Sequence, residues 1–113
     1  MGSKLLALSK NEEFKKLLKK QKKSNKYVTI FFGKLNLKNN RILNISFVTK
    51  KKLGNAVKRN KIKRRLRNIM TDALKKISIN LNYSYLVIAK PTMLNSQFKD
   101  IKENILQEFK KIK

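Results

Sequence analysis

The chain has 113 residues, room for one domain and little more, and its 41% hydrophobic content supports a modest core rather than a disordered polymer. Thirty Lys and Arg face six acids, a net charge of +24 that a compact fold tolerates best beside a polyanion such as nucleic acid. Cysteine and histidine are both absent, which excludes a disulfide framework, a thiolate nucleophile and histidine-based acid–base or metal chemistry.

In chain order, Ser9 and Glu12 fit a capping box, and the spacing predicts a first helix to about Lys20 with Phe14, Leu17 and Leu18 on one face. The lysine-rich stretch 19–26 reads as a solvated connector. Residues 27–32 are β-branched and aromatic, which predicts a strand with Val28, Ile30 and Phe32 on one side and Tyr27, Thr29 and Phe31 on the other. Lys38, Asn39 and Asn40 signal a turn into a second strand over about 41–49, with Ile45, Phe47 and Thr49 opposite Ser46 and Val48. Gly54 and Asn55 break that pattern before a long helix over about 56–79. A third strand covers 83–89 and is ended by Pro91. The last helix, from Asn95 or Ser96 to about Lys111, carries Phe98, Ile101, Ile105, Phe109 and Ile112 toward the core. The order helix, two strands, helix, strand, helix is an α+β pattern: a single domain with a mainly antiparallel sheet packed with three helices.

The stretch 50–67 is the most informative. At about 100° per residue, Ile62, Leu66, Ile69, Ala73 and Ile77 form one apolar stripe. Asn60, Arg64 and Arg67 fall on roughly the opposite side, so the helix can dock by one face and offer hydrogen-bonding charge on the other. Arginine brings a planar fork matched to phosphate, lysine a mobile point charge, and Asn60 a group able to reach a 2′-hydroxyl or a base edge. The loop before the helix brings backbone amides to its N-terminus, where phosphate is favoured. The acids Glu12, Glu13, Asp72, Asp100, Glu103 and Glu108 form no nuclease-like cluster, so no catalytic residue and no metal ligand is expected on this chain. No segment approaches the roughly 20 apolar residues of a membrane span. A cytoplasmic protein with no membrane partner is the expectation. Duplex DNA is also unexpected as a partner, because a strand and a lysine loop, not a helix-turn-helix partner, precede the basic helix.

These residues resemble a family. Lys51-Lys52, Gly54-Asn55-Ala56-Val57 and Arg59-Asn60-Lys61-Ile62-Lys63-Arg64-Arg65-Leu66-Arg67 look like the signature of the bacterial ribonuclease P protein subunit, approximately R-N-R-x-K-R-x-x-R. Lys61 stands where arginine is usual. The resemblance extends to Asn11-Glu12-Glu13-Phe14 near the start and to Leu86-Val87-Ile88-Ala89-Lys90 in the late strand. It implies a left-handed βαβ crossover around the basic helix and a fourth strand that the sequence does not place. It implies binding to a catalytic RNA subunit and to precursor tRNA, and a role in endonucleolytic removal of the 5′ leader. The chemistry would lie in the RNA, with Mg2+ held mainly by the RNA subunit and substrate. By resemblance, the RNA-binding residues are Lys51, Lys52, Asn55, Lys58, Arg59, Asn60, Lys61, Lys63, Arg64 and Arg67. Phe14, Leu18 and Phe31 match a cleft for the single-stranded leader, Leu18 replacing a common aromatic. Taken alone, those three positions suit core packing as well as base stacking. A structural or ribosomal RNA-binding protein shares the charge and size and is the alternative.

Overall fold

Val28, Ile30 and Phe32 alternate with Thr29 and Phe31 along β3 (Val28–Gly33), and that alternation assigns the two faces of the sheet. The computed structural model describes residues 5–6, 11–34 and 42–112, with side chains from Phe14 onward in those ranges. β5 (Ser84–Ala89) runs antiparallel to β3, with Ile30 opposite Val87, and parallel to β4 (Leu43–Val48), with Phe47 opposite Val87. β2 (Gln21–Ser24) pairs antiparallel with β3, and β1 (Leu5–Leu6) pairs parallel with β4. Among the described residues the sheet therefore has the order β1-β4-β5-β3-β2. It is mixed, with its antiparallel pairing concentrated on the β5–β3–β2 side.

Parallel neighbours β4 and β5 need a crossover, and α2 (Ala56–Lys76) supplies it. Its Ile62, Leu66, Ile69, Met70 and Ala73 are buried against one face of the sheet. Ile101, Ile105 and Phe109 of α3 (Phe98–Lys110) enter the same core. Phe32, Tyr83, Tyr85 and Phe109 link through ring centroids 5.4–6.4 Å apart, close enough for favourable edge and tilted contacts. Burial pushes the Tyr85 hydroxyl well above the ordinary tyrosine range, and Tyr83 adds to the shift. That hydroxyl donates to the Asn80 carbonyl at 2.7 Å, which fixes the turn entering β5. On the other face, α1 (Asn11–Leu18) inserts Leu17 against Leu86, with Phe14, Phe31, Val48 and Ile88 around them. Helices thus cover both faces of the sheet.

Several expectations need correction. The connector 19–26 holds β2, the fourth strand that the sequence did not place. Ser24 and Thr29 hydroxyls meet at 3.2 Å across that pair. Gly33 permits the close turn from α1 into β2, since a Cβ there would lie 2.8 Å from Lys20 Cβ. Tyr27 is buried with Val28 instead of facing away, because it lies in the turn where Asn25 Oδ1 accepts both backbone N–H groups. α2 ends at Lys76, short of residue 79. Ile77 turns extended (φ −132°, ψ 160°), and it and Ile79 fold back against the core. α3 starts at Phe98, not at Asn95 or Ser96, because a 3₁₀ turn, Pro91–Leu94, occupies the approach. Phe98, expected in the core, is 38% exposed in the first turn of that helix. The Ser9 cap, the turn at Lys38, Asn39 and Asn40, and the strand start at Arg41 lie outside the described residues.

Candidate nucleic-acid interface

The basic segment starts with a 3₁₀ turn, Lys51–Leu53, pinned by Leu53, which is buried while Lys51 and Lys52 remain exposed. Gly54 then takes φ 130°, a backbone state that side-chain-bearing residues avoid, and a Cβ there would come within 2.9 Å of Lys58 Cδ. The reversal sets Asn55 as the N-cap of α2: its Oδ1 accepts the Lys58 backbone N–H at 3.0 Å. The apolar stripe Ile62, Leu66, Ile69 and Ala73 fixes the rotation of the helix, and so decides which cations face outward.

Lys58, Asn60, Lys61, Lys63, Arg64 and Arg67 are exposed, while Arg59 is half-buried. With the exposed loop lysines Lys51 and Lys52 they make this end of the helix strongly cationic. The helix's lone acid, Asp72, sits farther along and is paired with two lysines. The Lys102 and Lys76 ammonium groups converge on its Oδ2, the latter at 3.1 Å, and those contacts hold its carboxyl below the ordinary range. Among the described residues no three acidic side chains gather into a group able to hold a metal ion. No helix among them is long and apolar enough to cross a membrane.

The leader-cleft residues matched by resemblance come together only in part. Phe14 and Phe31 are half-buried neighbours of the Leu17–Leu86 cluster. Leu18 is 48% exposed and stands outside that cluster. Because α1 and α2 pack on opposite faces of the sheet, these positions form a surface separate from the cationic helix. Arg65, which the sequence reading left off the contact set, is half-buried on the flank of α2. The spacing Lys58, Lys61, Arg65 was the signal for a second basic row.

The ribonuclease P family matches residues 3–113. The chain belongs to the ribonuclease P protein family. A ribonuclease P protein component from Bacillus pumilus is 34% identical over 105 residues, spanning 92% of this chain and 85% of that protein. One from Mesoplasma florum is 35% identical over 91 residues, 80% of each chain. Among solved structures, the Staphylococcus aureus ribonuclease P protein superposes with a TM-score of 0.75 at 26% identity, covering 92% of both chains. The Thermotoga maritima ribonuclease P protein shares the fold, with a TM-score of 0.79 at 23% identity over 95% of this chain and 97% of that one.

Proposed function

We propose that this chain is the protein component of a ribonuclease P, an RNA-containing endoribonuclease that removes the 5′ leader from precursor tRNA in the cytoplasm. The observation that carries the reading is the ordered basic motif from Lys51 to Arg67, which the fold displays on a helix whose apolar stripe is already buried. Curated relatives named ribonuclease P protein component, aligned over nearly the whole chain, support it. The ribosomal alternative has no comparable observation in its favour.

In this reading Lys51, Lys52, Lys58, Arg59, Lys61, Lys63, Arg64 and Arg67 neutralise phosphates of the catalytic RNA subunit, with arginines holding the bidentate contacts. Asn60 donates to and accepts from sugar or base groups, and Asn55 offers its side-chain amide while its carbonyl caps the helix. Phe14 and Phe31 present ring faces to unpaired leader bases, and Leu18 adds an apolar contact. The chain contributes no catalytic side chain. The phosphodiester is broken in the RNA subunit, whose Mg2+ is held there and by the substrate.

Two variants separate the parts. Arg64→Ala is expected to weaken binding of the RNA subunit and to lower the steepness of its salt dependence by roughly 0.7–0.9, the share of one phosphate contact. Phe31→Ala is expected to leave RNA-subunit binding intact and weaken only leader-bearing precursor, by roughly 1–3 kcal/mol for one stacked base. If Phe31→Ala weakens mature tRNA and precursor equally, the leader surface is misassigned.

A further inference from the structure

The second basic row on α2 faces neither solvent alone nor the core. Lys58, Lys61 and Arg65 line one wall of a cavity of about 260 Å³ whose other wall is the 3₁₀ turn Pro91–Leu94. Its floor is apolar: Ile62 and Met93 are almost fully buried, and Leu94 at the rim is 39% exposed. Asn95 adds an amide beside Leu94. No acidic side chain lines it among the described residues.

The combination is selective. An apolar floor favours a flat, weakly hydrated body, three cations favour a phosphate, and an amide can read hydrogen-bonding edges. The cavity lies just below the roughly 300–1,000 Å³ usual for small-ligand pockets, which suits one nucleotide and excludes a duplex. The outward residues Asn60, Arg64 and Arg67 lie on a different side of the helix, so the cavity is separate from the motif's main face.

We propose that this cavity receives a single unpaired nucleotide of the RNA bound along α2. The base lies on Met93 and Leu94, and its phosphate is held by Arg65 with Lys58 and Lys61. The inference rests on the RNA-binding role proposed above, and extends the interface to Arg65 and to the segment after β5.

The chain has no cysteine, so a single introduced thiol carries a photocrosslinker to one site. Leu94→Cys places it at the cavity, and Thr71→Cys, exposed one turn beyond Arg67, places it on the outward face. Each labelled protein is assembled with the RNA subunit and precursor tRNA, irradiated, and the adducts mapped on both RNAs. The expected result is a Leu94 adduct confined to one unpaired position, with the RNA that bears it naming the source. Adding Arg65→Ala is expected to cut the yield about tenfold, the scale of one charged hydrogen bond. Adducts from Thr71 without any from Leu94, or Leu94 adducts spread over paired positions, overturn the cavity assignment and leave the proposed function standing. Failure of both sites to label either RNA overturns both.

Discussion

Asn55 Oδ1 accepts the Lys58 backbone N–H at 3.0 Å, so an asparagine that the family signature places at the RNA also closes the first turn of the helix presenting the rest of the motif. Under the proposed function, one side chain serves folding through its oxygen and binding through its amide nitrogen. Asn55→Ala is expected to cost about 1 kcal/mol of stability, the usual worth of an N-cap, read as a lower urea midpoint with unchanged slope. Asn55→Asp keeps the cap and adds a charge favoured at a helix N-terminus. It is expected to hold stability while weakening RNA binding, because that charge faces phosphate. Equal losses of stability from both substitutions would contradict the capping role.

Leu17 and Leu18 are sequence neighbours with opposite fates. Leu17 is fully buried against Leu86, and Leu18 is half exposed. Leu17→Ala is expected to lose about 2–5 kcal/mol, because α1 is held to this face of the sheet through that contact. Leu18→Ala is expected to stay within about 0.5 kcal/mol of the parent in urea unfolding. Its effect belongs in binding: weaker affinity for precursor tRNA carrying a leader, with mature tRNA unaffected.

Asp72 gives the fold an acid-sensitive contact. Lys102 and then Lys76 hold its folded pKa below the unfolded value, so the unfolded chain takes up the proton first as pH falls. The stabilisation is present at neutral pH and is lost as pH drops through the ordinary carboxylate range toward the lowered folded value. Asp72→Asn is expected to reduce stability at neutral pH and to flatten that acid decline, measured by urea unfolding at a series of pH values. An unchanged acid slope would show that other carboxylates set it.

What was legible in the sequence, and what was not, follows from where the information resides. The stripe Ile62, Leu66, Ile69, Ala73 and Ile77 repeats over several turns; its first four members are buried, and Ile77, just past the helix end, packs half-buried against the core. β3 and β5 were equally plain, since both are apolar and bury side chains on two faces. β2 was invisible because Gln21, Lys22, Lys23 and Ser24 carry no apolar alternation; it is a strand through backbone pairing with β3. Edge strands rich in lysine are written that way to resist further pairing. Phe98 shares a helical period with Ile101 and Ile105 but sits where α3 begins, and periodicity does not report where a helix emerges from the core. Of the candidate site, the motif's outward face could be read directly. The cavity beside Arg65 could not, because its far wall, Met93 and Leu94, comes from a segment distant in sequence.

The proposed role of this protein is to serve an RNA catalyst that matures tRNA. The most direct measurement is cleavage of a 5′-extended precursor tRNA at low Mg2+, with the cognate RNA subunit and the protein tested separately and together. The mature 5′ end is expected to be released chiefly by the combination, with none released by the protein alone. Cleavage by the RNA subunit that the protein binds but does not enhance, or cleavage by the protein alone, would contradict it.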